Sequence, residues 1–170
     1  MPLLSLPNND VLRALGKLTL WFAELEFFVN DCLLQLHEPK TDAKRRKLLW
    51  RDFSQRAKDV EETLRARSES GKLWKDPTYK PPAQFAPSLR RLSERRNLLI
   101  HGVAFTVLEK LGQQLVGRTY KFSSRSRQQT PLEAEPIEEL VGQIARAAEQ
   151  AQWLALNLWD EKKNRDVVKA

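Results

Sequence analysis

The sequence is poor in the residues that build metal, redox and phosphate-loop sites. It has a single cysteine, Cys32, and two histidines, His37 and His101, in 170 residues. One cysteine makes no internal disulfide, which fits a reducing compartment and an expected cytoplasmic location. So few and so scattered cysteines and histidines exclude a structural zinc site, and no metal or other cofactor is expected. No apolar run approaches the roughly 18–20 residues that a membrane span needs. The opening residues MPLLSLPNND lack the basic region and cleavage pattern of a secretory signal. There is no Gly-rich phosphate loop, no His-Glu-x-x-His and no nucleophile elbow. Acidic residues are also short, 22 Asp and Glu against 29 Lys and Arg, for a net charge of +7. That balance favours a polyanionic partner, nucleic acid before an acidic protein.

What the chain has is helical periodicity. A 41% hydrophobic content with five Trp describes a folded chain, expected to form one mainly α domain over 1–170. Asn8, Asn9 and Asp10 can cap a first helix that runs to about His37. Its seam, Val11, Leu15, Leu18, Phe22, Leu25, Val29, Cys32 and Leu36, alternates fours and threes. Glu26 lies beside that seam, in the row of Leu12, Thr19 and Leu33. Pro39 breaks the helix, and Thr41 or Asp42 can cap a second one over roughly 43–68, antiparallel to the first. The basic run of the second helix, Lys44, Arg45, Arg46 and Lys47, lies near its start, where it does nothing for helix stability.

A Pro-rich irregular stretch, 70–87, carries Trp74 and Tyr79 among lysines, as core cover or as a base-stacking platform. The β-branched and aromatic residues of 103–122, with a turn signal at Gly112, predict a small β-hairpin insertion at about 103–123. Ser123–Gln129 is a polar loop, either plainly solvated or carrying Arg125 and Arg127 as candidate phosphate contacts. A last helix is expected from Pro136 to about Trp159, with a frayed tail behind it.

The stretch Ser88–Phe105, SLRRLSERRNLLIHGVAF, organises the rest. Phe85, Leu89, Leu92, Arg96, Leu99 and Val103 step along one helical face. Arg96 stands where a leucine is expected, so it needs a carboxylate, an anion or a cleft. Asn97 and His101 fall together on the flank of that stripe. If the first and third helices run parallel, Arg96 comes within a turn of Glu26, and an ion pair explains both displaced charges. Chemically, an imidazole can move a proton to or from an oxygen, and a guanidinium can hold the non-bridging oxygens of a phosphorane. His37 could lie at the same end of the bundle.

The run Arg96-Asn97-Leu98-Leu99-Ile100-His101 resembles the Arg-x4-His motif of the HEPN superfamily. These are small helical-bundle proteins, many of them metal-independent ribonucleases of toxin and defence systems. The resemblance implies a four-to-five-helix bundle and a site of Arg96, Asn97 and His101, to which the register argument adds Glu26 as a supporting carboxylate. It also implies RNA as substrate, a homodimer that supplies a second imidazole, and an antitoxin or regulatory protein as further partner. Val103 stands where the toxin branch paired with nucleotidyltransferase antitoxins usually carries a Tyr, so that branch is not implied. The alternative is a non-catalytic HEPN-like module that binds RNA or protein.

Overall fold

A computed structural model of the chain describes residues 9–69, 84–101, 103–111, 114–122 and 129–169. They are mainly helical. The helices are α1 (Asn9–His37), α2 (Asp42–Leu49), α3 (Phe53–Glu69), α4 (Phe85–Ile100) and α5 (Ala134–Lys169). Three short strands, β1 (Val103–Leu111), β2 (Gln114–Phe122) and β3 (Gln129–Pro131), pair antiparallel in the order β1-β2-β3. Val103 lies opposite Phe122 and Leu111 opposite Gln114. The turn expected at Gly112, the aromatics Trp74 and Tyr79, and Arg125 and Arg127 all lie outside the described residues.

The seam of α1 is buried as its spacing demands, with Leu18, Leu25, Val29 and Cys32 inaccessible. It meets a face of α5 formed by Ile137, Leu140, Ile144, Ala148, Ala151 and Leu158. Lys17 pairs with Glu138 at 2.8 Å, and the Cys32 thiol donates to the Ala151 carbonyl at 3.5 Å. Residue numbers therefore rise together along both helices, which run parallel. Helix α5 continues to Lys169, beyond the expected stop at Trp159. Residues 160–169 hold no Gly or Pro and several good helix formers, so nothing local ends the helix.

The second helix departs from expectation. It is not one antiparallel piece but two helices, α2 and α3, separated at Trp50–Asp52. Thr41 caps α2, its hydroxyl accepting from the Lys44 N–H at 3.3 Å. Asp52 then caps α3, its Oδ1 accepting from the Gln55 N–H at 2.9 Å. The short α2 carries the chain back along α1, and α3 starts again beside Phe22. The rings of Phe22 and Phe53 meet at 5.0 Å, Arg56 bonds Glu26, and Arg67 donates to the Leu36 carbonyl at 2.9 Å. Helix α3 is thus parallel to α1. Helix α4 then runs opposite to both, because Ala86 near its start meets Glu61 in mid α3, while Arg96 near its end meets Phe22. The expected parallel pairing of the first helix with the Arg-x4-His helix is corrected: the pair is antiparallel.

The start of α4 is capped from a distance. Gln84 makes no side-chain cap, and instead Glu61 Oε2 accepts from the Ala86 N–H at 2.7 Å. Glu61 is 6% exposed, and its Oε1 accepts from Arg65 at 2.8 Å. Truncation strands a half-buried N–H and loses a charge-assisted bond, so Glu61→Ala should lower stability by about 2 kcal/mol in urea unfolding. Glu61→Gln keeps an acceptor oxygen and should cost less. Equal stability of Glu61→Ala and wild type would show that water replaces the cap.

Candidate active site on α4

Arg96 sits on the inner stripe of α4 between the buried Leu92 and the half-buried Leu99. Its guanidinium carbon lies 4.9 Å from the centre of the Phe22 ring. Phe22 is itself braced by Phe53, so the cation rests on a fixed aromatic face, a cation–π contact. Arg96 Nη1 donates to Asn97 Oδ1 at 2.9 Å. Its Nε is buried and has no hydrogen-bond partner among the described residues. Among the described residues no carboxylate lies within ion-pair distance of Arg96.

The expected Glu26–Arg96 pair is corrected here. Glu26 accepts from Arg56 Nη2, and Asn30 Oδ1 accepts from Arg56 Nη1. Arg56 is only 6% exposed and reaches α1 from the flank of α3. Because α4 is antiparallel to α1, Arg96 comes level with Phe22, one turn below Glu26, and that carboxylate is already held by Arg56 of α3.

His101 is the residue that ends α4. Its backbone is extended at φ −91° and ψ 127°, its N–H donates to the Asn97 carbonyl at 3.0 Å, and its side chain is exposed. Asn97 is therefore the link of the motif. Its side chain holds Arg96, and its carbonyl anchors the turn that presents His101. His37, at the far end of α1, lies roughly 30 Å away along the axis at 1.5 Å per residue. The expectation that it shares an end with His101 fails, again because α4 is antiparallel to α1.

Lys44, Arg45 and Arg46 are exposed on α2. Arg45 lines a groove of about 770 Å³ with Asp31, Gln35 and Trp159, among others. That places the basic run roughly 20 Å along the axis from Arg96. The structure brings Arg96 and Asn97 together, with His101 one turn on, and leaves Glu26 and the α2 cations apart from them.

Cys32 is a free cysteine buried on the α1 seam. Burial, reinforced by the Asp31 charge, pushes its thiol far above the usual thiol range. Among the described residues no group of His, Cys, Asp and Glu stands together as a metal site, and no helix is long and apolar enough to cross a membrane. The sequence reading missed two residues that tie the helices around the site together, Arg56 between α3 and α1 and Glu61 at the start of α4. Both lie about 70° from the centre of the α3 stripe, and that flank position was their only signal. In comparisons with known proteins, no family model, no curated protein and no solved structure matches this chain.

Proposed function

We propose that this chain is a metal-independent endoribonuclease of a toxin or defence type, a HEPN-like bundle with β1 and β2 as an insertion. The observation that supports it is Arg96, a cation with no carboxylate beside it among the described residues, fixed by Phe22 and Asn97 one turn before an exposed imidazole. In this reading the RNA 2′ oxygen attacks phosphorus and loses its proton. The bond to the 5′ oxygen breaks, and that oxygen gains a proton. His101 carries one of the two proton transfers. Arg96 stabilises the negative charge that builds on the non-bridging oxygens. A second copy supplying its own His101 serves the other transfer. The products are a 2′,3′-cyclic phosphate and a 5′-hydroxyl.

The test is RNA incubated with the protein in EDTA, followed by analysis of the product ends. A cyclic phosphate supports the reading, and products with a 5′-phosphate overturn it. A 2′-deoxyribose at the cut site should block cleavage. The α2 cations supply affinity in the same reading, so neutralising Lys44, Arg45 and Arg46 should weaken binding across RNA sequences. The slope of log affinity against log salt should fall by about 0.7 for each lost phosphate contact. An unchanged slope in a salt titration removes α2 from the RNA path.

A second reading has its own observation. Arg96 is already engaged by a ring and an amide, as a structural arginine would be. A non-catalytic module binding RNA or a regulatory protein through its basic surface would bind without cleaving.

A further inference from the structure

Helix α1 carries a second apolar stripe, on the side turned away from its core seam. Leu12, Gly16, Leu20, Ala23 and Phe27 follow fours and threes along it, and all are exposed. Leu20 is 72% and Phe27 63% accessible, which is high for side chains that gain from burial. Gly16 sits in this row, and among the described residues nothing packs against it. A Cβ added there would meet nothing within 4 Å. A glycine within a helix is unfavourable, so an open one that no neighbour requires suggests the close approach of something from outside.

The charges beside the stripe indicate what that is. Arg13, Glu24 and Asp31 share one flank, with the cation towards the start of the helix and the carboxylates towards its end. In an antiparallel pair of identical helices, equivalent flanks face each other about a two-fold axis. An axis between Leu20 and Ala23 sets Phe27 against Gly16 of the other copy and Leu20 against its Ala23. The same axis sets Arg13 beside the opposite Asp31. Leu20 and Phe27 meet small residues and Arg13 meets a carboxylate, all from one choice of centre, while Leu12 at the edge of the stripe comes level with Asn30. A parallel pairing gives neither match.

We infer that the outer face of α1 is a self-association surface, joining two copies of this chain through antiparallel α1 helices. This rests on no part of the ribonuclease reading. Helix α4 packs on the core side of α1, so this contact leaves the two Arg96 and His101 sites on outward faces. It is an association separate from any pairing of His101 residues. The stripe spans about four turns of one helix, a small interface, so the association is reversible and concentration-dependent.

The experiment is sedimentation equilibrium of the full chain at tens of micromolar, wild type against Leu20→Glu/Phe27→Glu. The double variant should have half the mass of the wild type. Equal masses overturn the proposal and leave the stripe to a partner other than this chain. Both positions are exposed, so the fold should survive, and circular dichroism checks it. Gly16→Gln guards the result independently, because it adds bulk into open space and improves helix propensity. It should melt no lower than the wild type yet also halve in mass, and retention of the wild-type mass counts against the proposed axis. Arg13→Asp should weaken association, and adding Asp31→Arg should restore it. Failure of that restoration overturns the antiparallel arrangement.

Discussion

His101→Ala is expected to lower the rate of RNA cleavage by about 10²–10⁴-fold, the usual loss when a positioned proton-transfer group is removed. Helix content should not change. The imidazole is exposed and the residue contributes to the fold through its backbone N–H, which alanine retains. Arg96→Ala should also slow cleavage, but it uncovers Phe22 and releases Asn97, so part of its effect is structural. Arg96→Lys separates the two roles. Lysine keeps the charge but loses the planar stack and the fork of donors, so it should keep most of the stability and little of the rate. The measurement is a denaturing gel of RNA in EDTA with identically purified proteins. Equal cleavage by wild type and His101→Ala would remove His101 from the mechanism. Cleavage by neither, across structured and unstructured RNAs, would favour the binding module.

Glu26→Ala is expected to destabilise the protein by about 3 kcal/mol. The cost arises at Arg56, whose side chain is 7% exposed and which would keep, among the described residues, Asn30 as its hydrogen-bond acceptor and the Phe53 ring beside it. Glu26 itself is 38% exposed at the side chain, so Arg56→Ala, which leaves a carboxylate within reach of water, should cost less from the lost charge pair. A double-mutant cycle should find strong coupling between Glu26 and Arg56 and none between Glu26 and Arg96. Replacing both members of the pair with apolar residues of similar volume should recover much of the loss. Coupling to Arg96 instead, measured by denaturant unfolding, would contradict the observed partners.

The core faces of α1, α3 and α5 were legible because their apolar spacing is strict. Leu18, Leu25, Val60, Leu64, Ile144 and Ala148 are buried as that spacing requires. The run from Leu48 to Phe53 misled, because its apolar residues continue a helical pattern across Trp50, which is 89% exposed. The counter-signal was Asp52 with Gln55 three residues on, a cap pattern that outweighed the periodicity. From that one break followed the direction of α3, the direction of α4 and the real neighbours of Arg96. The displaced charges were visible in sequence, but their partners were not. Spacing places a residue on a face and says nothing about which helix arrives opposite. Val103 was read onto the helical stripe and belongs to β1, because α4 ends at Ile100.

The parallel pairing of α1 with α5 carries a cost during synthesis. The contacts Lys17–Glu138 and Cys32–Ala151 join residues 121 and 119 positions apart. Such long-range closure is slow, because the entropy of closing so long a loop is lost before these contacts can offset it. On the ribosome, the seam of α1 emerges first and its main partner last. During that interval Leu18, Leu25 and Val29 are covered only by what α3 and α4 supply, and the nascent chain is most exposed to aggregation and to chaperones.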